Sequence, residues 1–118
     1  VPGFRKPQPE LVERFDELAS LVEADRKLIF GSPACVLHGN MFTALHDDYL
    51  ILRLSEADRA EMTARHPDAR VFEPMVGRPM KEYVVAPADL VASDEIEGWV
   101  RRSFAYAQTL PPKIAKKR

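Results

Sequence analysis

Ala34-Cys-Val-Leu-His-Gly-Asn-Met-Phe-Thr-Ala-Leu-His-Asp-Asp-Tyr-Leu-Ile-Leu-Arg-Leu54 holds three short apolar runs, Ala34 to His38, Met41 to His46 and Tyr49 to Leu54. Gly39-Asn40 and Asp47-Asp48 separate them, residue types that tolerate the positive φ of tight hairpin turns. The spacing predicts a three-stranded antiparallel meander. With turns this tight, Leu37 faces Phe42, Cys35 faces Ala44 and Ala44 faces Ile51 on one side of the sheet. The other side collects Val36, His38, Met41, Thr43, Leu45, Leu50, Leu52 and Leu54. Both sides are apolar in the middle. That calls for a helix on one side and a second helix, a loop or another subunit on the other.

Upstream, apolar residues recur from Glu10 at Leu11, Phe15, Leu18 and Val22, the stripe of an amphipathic helix with Pro9 in its first turn. Phe30-Gly-Ser-Pro33 breaks that pattern. Downstream, Ser55-Glu-Ala-Asp58 opens a second helix with a serine cap, closed by His66-Pro67. Val71-Phe72 and Lys81 to Ala86 read as two further strands, joined by a Pro- and Gly-rich loop. Ser93-Asp-Glu95 starts the last helix, whose buried stripe is Ile96, Val100, Ala107 and Leu110, with Trp99, Ser103 and Tyr106 at its side. Leu110-Pro-Pro112 ends it. The order α-βββ-α-ββ-α predicts an α+β fold with a mainly antiparallel five-stranded sheet packed by helices. We expect one domain over residues 1–113 and a basic tail over 114–118.

The 118 residues, 46% hydrophobic and 30% charged, suit an ordinary globular core, and no apolar run approaches the ~18 residues of a membrane span. Val1-Pro-Gly-Phe-Arg-Lys6 lacks the apolar centre of a secretory signal, and the single Cys35 has no internal disulfide partner, so a cytoplasmic location is expected. The formal charge is −1, yet Lys113, Lys116, Lys117 and Arg118 crowd the C-terminus, leaving an acidic body. An acidic body with a basic tail argues against direct nucleic-acid contact, which ordinarily uses a basic face.

Catalytic and metal readings find little support in the residue pattern. Cys35 and His38 are three apart, which on a strand sends them to opposite faces, and no second Cys or paired His completes a zinc set. Asp47 and Asp48 beside His46 are turn chemistry. No cofactor or catalytic residue is expected. The remaining candidate is the segment Phe72-Glu-Pro-Met-Val-Gly-Arg-Pro-Met-Lys-Glu-Tyr-Val-Val-Ala-Pro87. There Arg78 and Lys81, near Gly77, could hold a phosphate or carboxylate, or pair with acids of the body while Met75 and Met80 plug the edge of the core. Methionine is adaptable packing at protein interfaces. Arg53, Met75, Gly77, Arg78, Met80, Lys81 and Tyr83 form the candidate contact or ligand surface.

With the elements placed, the chain resembles the TfoX N-terminal domain family, named for a bacterial competence regulator also called Sxy. The matching pieces are Phe30-Gly31, Leu37-His-Gly-Asn-Met-Phe42, Leu50-Ile-Leu-Arg-Leu54, Phe72-Glu-Pro-Met75, Gly77-Arg-Pro-Met-Lys81, Tyr83-Val-Val85, Trp99-Val100 and Leu110-Pro-Pro-Lys113, in the family's order. Ser32 stands where the family often has a second Gly, and Val76 is inserted between Met75 and Gly77. The resemblance implies the α+β arrangement above, with a sheet similar to that of secretion-chaperone-like folds, and no catalytic residues to carry over. It implies a stand-alone, non-enzymatic module acting through an unknown protein partner, in bacterial transcription or competence-type regulation, with a homodimer as one form. The alternatives are an anionic-ligand or enzymatic role for Arg78 and Lys81, and nucleic-acid binding through the tail.

Overall fold

The computed structural model describes residues 7–29 and 31–113. Phe30 of the Phe30-Gly31 motif and the basic tail with Lys116, Lys117 and Arg118 lie outside the described residues. The described elements, in chain order, are α1 (Pro9–Ala19), β1 (Asp25–Ile29), β2 (Ser32–Leu37), β3 (Asn40–His46), β4 (Tyr49–Arg53), α2 (Glu56–Arg65), β5 (Arg70–Met75), β6 (Arg78–Ala86), α3 (Ala88–Val91) and α4 (Glu95–Thr109).

The meander forms as its spacing dictates, β2 antiparallel to β3 and β3 to β4, with Ala44 opposite Ile51. The first turn sits one residue earlier than expected. His38 (φ 51) and Gly39 (φ 84) take the two positive-φ positions, and Leu37 pairs with Asn40. Asn40 is instead a buried strand residue whose side-chain Nδ2 donates to the Pro111 carbonyl at 2.9 Å. The Lys113 amide donates to the His38 carbonyl at 2.8 Å, so the segment after α4 is strapped over this turn.

A bulge in β3 alters the expected pairing. Val36 pairs with Met41 but Cys35 pairs with Thr43, not Ala44, leaving Phe42 as the extra residue. Alternation breaks there. Phe42 and Thr43 are both buried. Phe42, Cys35 and Leu37 pack with Leu45, Leu50 and Leu52 against the helices, while Met41 joins Ala44 and Ile51 on the opposite face.

The sheet has six strands rather than five, in the order β1-β2-β3-β4-β6-β5, with every neighbouring pair antiparallel. The added strand is β1, an exposed edge carrying Asp25, Arg26 and Lys27, with no apolar alternation to mark it. All four described helices contribute to one cluster on a single face: Phe15 and Leu18 from α1, Met62 from α2, Leu90 from α3, and Ile96, Trp99 and Val100 from α4. Ser55 caps α2 as expected, its Oγ accepting from the Asp58 amide at 3.2 Å.

Among the described residues, the opposite face is covered by side chains of the strands themselves, where a second helix, a loop or another subunit was anticipated. Its centre is shallow, with Ala34 opposite Ala44. Large side chains from the strands fill the same cluster, Phe72 from β5 and Tyr83 from β6 among them. Tyr83 reaches past β4 to donate its hydroxyl to the Met41 carbonyl on β3, at 2.6 Å.

Ser103 ties α4 to the sheet. The β3–β4 ladder ends at Thr43 and Leu52, and the carbonyls of the next residues, Phe42 and Arg53, each lie 2.8 Å from the fully buried Ser103 Oγ.

Candidate functional site

The residues named from the sequence fall into two groups with different surroundings. Arg53 and Tyr83 sit at the base of the β5–β6 ribbon, where they are opposite each other across β4 and β6. Arg53 Nε donates to Glu82 Oε1 at 2.6 Å, its guanidinium carbon lies 5.7 Å from the centre of the Tyr83 ring, and the Tyr106 hydroxyl of α4 donates to Glu82 Oε2 at 3.2 Å. Arg53 is thus committed to an internal network. Burial pushes the Glu82 carboxyl up, but the hydrogen bond and charge of Arg53 outweigh it and hold the group below the usual glutamate range. Burial likewise raises the Tyr83 hydroxyl against the opposing charge of Arg53. Glu82 and Tyr106 were missed as partners because their convergence depends on docking α4 against the sheet.

A second polar network joins α2 to α4. Glu95 Oε2 accepts from Trp99 Nε1 at 3.1 Å and lies 3.0 Å from His66 Nε2 and 2.9 Å from an Arg65 guanidinium nitrogen. Arg102, 4.5 Å above the Trp99 ring, pairs with Asp58 and Glu61. Hydrogen bonds from Trp99 and then His66 hold Glu95 below the ordinary range, and Arg102 does the same for Glu61.

Because Glu61, Glu82 and Glu95 all have depressed values in the folded state, their contributions are present above the ordinary glutamate value of 4.5 and are lost as pH falls through the folded values. Urea midpoints measured against pH should hold steady from neutrality down to that value and then drop. The drop should be shallower in Glu82→Gln, and an unchanged slope in that variant would remove Glu82 from the account.

Met75, Gly77, Arg78, Met80 and Lys81 form the other group. The expected loop is a β-hairpin, in which Met75 pairs with Arg78 around a two-residue Val76-Gly77 turn with Gly77 at φ 79. β4 pairs only with Tyr83 to Ala86 of β6, so the outer half of the hairpin is a two-stranded ribbon projecting from the sheet. Met75 and Met80 do not plug the core. Met75 is 65% exposed, Val76 100% and Met80 36%. Among the described residues, neither Arg78 nor Lys81 makes an ion pair or a side-chain hydrogen bond. The nearest polar closure of the turn is the Gly77 amide, which donates to Glu73 Oε2 at 2.6 Å.

At the other end of the ribbon lies a groove of about 400 Å³ between the start of β4, the end of β6, α1 and α3. Leu11, Leu50, Val85 and Val91 give it apolar walls, and among the described residues Asp48, Asp68 and Asp89 line it with one base, Arg70. The Arg70 guanidinium carbon lies 5.0 Å from the centre of the Tyr49 ring. A second depression, beside Glu23, Asp25 and His38, is likewise not lined by Arg53, Arg78 or Lys81. The groove was invisible to residue spacing because its acids come from two separate connections and from α3. Among the described residues, no three His, Cys, Asp or Glu side chains gather as a metal site. Cys35 is buried, and burial pushes its thiol up to about 11, which suppresses the thiolate.

The sequence pattern of the TfoX N-terminal domain family matches residues 16–107, from inside α1 to inside α4. The chain belongs to the TfoX N-terminal domain family. The TfoX match covers the whole sheet, both turns of the meander, the projecting ribbon and most of α4. It stops short of the Leu110 to Lys113 strap. No curated protein and no solved structure shows a significant match to the chain. No described helix is long and apolar enough to cross a membrane.

Proposed function

We propose that this TfoX-type domain is a non-catalytic module that works through protein contact, with the tip of the β5–β6 hairpin as the contact. The carrying observation is the exposure of Met75, Val76 and Met80 on a ribbon that also holds Arg78 and Lys81. Single exposed apolar residues are commonplace; a cluster on a projecting element is the kind of patch that marks an interaction surface. Methionine side chains adapt to an irregular partner surface, and the two cations add orientation and selectivity. The other surface suggested by the sequence, the apolar face of the meander, is buried under Phe72 and Tyr83. We place the module in the cytoplasm of a bacterium and in transcriptional control of the competence type, the setting that family membership favours.

The test uses a photo-crosslinking residue at Val76 in living host cells, with the same residue at exposed Glu13 as control. Adducts are expected from Val76 and should vanish when Met80 and Arg78 are both changed to Asp. Equal adducts from both positions, or none from either, would remove the hairpin as the contact.

A further inference from the structure

The hairpin tip and the acidic groove occupy opposite ends of one antiparallel ribbon. Arg78 opens β6 at the tip, and Val85 and Ala86 close it in the groove, eight residues on and roughly 25 Å away. The two ends are complementary. The tip offers Met75 and Val76 with the cations Arg78 and Lys81, while the groove offers apolar walls with Asp48, Asp68 and Asp89 against Arg70 as the one base among the described residues. A groove and a tip that lie at opposite ends of one element cannot meet within one chain. Two copies related by a two-fold axis, with their ribbons side by side and antiparallel, bring each tip to the other's groove, and the contact is made twice.

We propose that the partner of the hairpin is a second copy of this chain, each tip seated in the acidic groove of the other. This rests on the contact reading above and names its partner. β5 is the last strand of the sheet, so its outer edge is available for the approach, but Pro74 near the tip has no amide to donate. The copies are therefore joined by side chains entering the groove and not by a continued backbone ladder. The two-fold arrangement also matches charge: each tip sets Arg78 and Lys81 against the one acid at the turn, Glu73, and meets a groove lined by Asp48, Asp68 and Asp89.

Charge reversal distinguishes this from any general effect on the fold. In Arg78→Glu/Lys81→Glu, tip and groove are both acidic; in Asp68→Lys/Asp89→Lys, both are basic. All four positions are exposed, and circular dichroism should show both variants folded. By sedimentation equilibrium, the native chain should dimerise with an affinity that weakens as salt rises, and each variant alone should dimerise at least ten-fold more weakly. An equimolar mixture should recover a heterodimer of native affinity, because both of its contacts then pair opposite charges. A native chain that stays monomeric at hundreds of micromolar overturns the proposal, as does a dimer indifferent to both reversals, or a mixture that fails to recover. If the chain is monomeric while Val76 still crosslinks to another protein, self-pairing fails and the contact reading survives. If Val76 yields no adduct at all, both fail.

Discussion

Ser103→Ala is expected to lower stability by about 2–4 kcal/mol, seen as a fall of about 10 °C in Tm or an equivalent drop in the urea midpoint. The loss of volume is one oxygen. The cost lies in the two carbonyls, Phe42 at the β3 bulge and Arg53 at the end of β4, which both depend on that hydroxyl at 2.8 Å. A hydroxyl carries a single proton, so it serves the two acceptors alternately or shares between them. With it gone, the buried Phe42 carbonyl loses its donor where water does not reach and the part-buried Arg53 carbonyl loses the same donor, and each acceptor left unsatisfied costs roughly 1–3 kcal/mol. Tyr83→Phe is the comparison, because its hydroxyl serves the single Met41 carbonyl near the start of β3, in a part-buried bond, and should cost about 1 kcal/mol. A Ser103→Ala loss no greater than that of Tyr83→Phe would show that the helix-to-sheet bridge contributes nothing special.

The second large effect is Gly39→Ala, expected to cost about 2–3 kcal/mol. A Cβ on Gly39 would lie 2.5 Å from the Lys113 carbonyl oxygen and 2.9 Å from its Cβ, and the residue is held at φ 84. The left-handed backbone alone costs about 1 kcal/mol for alanine. The remainder comes from lifting the strap, with loss of the bonds from Lys113 to His38 and from Asn40 to Pro111. Gly77→Ala separates the two contributions: Gly77 has a similar φ of 79 and nothing within 4 Å of its Cβ position, so it should pay only the backbone cost. Equal losses at the two glycines would mean that the strap is not seated on the turn. Amide exchange at Lys113 gives the same answer independently, and should accelerate in Gly39→Ala alone.

Much of the architecture could be read from spacing. The meander was legible because Asp47-Asp48 and Gly39 punctuate runs of strand length, and α2 because Ser55 and His66-Pro67 mark both its ends. The bulge was not legible, since an extra residue in β3 exists only relative to its partner; its effect was to carry Phe42 to the helix face, where its ring meets Phe104 at 5.6 Å. β1 escaped because an exposed edge strand needs no apolar alternation, and its charged residues resemble a loop. α3, four residues long, has too few turns to show a period. The hairpin looked like a loop because Pro74 and Pro79 are poor in strands. Both are tolerated there: β5 is an edge, and the part of β6 containing Pro79 lacks a β4 neighbour to which an amide could donate. The site was found as a set of residues but not as a shape. Arg53 and Tyr83 adjoin the hairpin in the sequence, yet Glu82 and Tyr106 draw them into the fold, and the acidic groove could appear only once two distant connections and α3 had been brought together.

The shallow centre of the face opposite the helices, where Ala34 lies across from Ala44 and Tyr83 extends toward β3, links those positions through shared space. Among TfoX relatives, side-chain size at these three places should be exchanged as one quantity. A lineage that enlarges either alanine must shorten the aromatic arm that crosses the trough, and one that loses the arm is free to fill the trough from beneath.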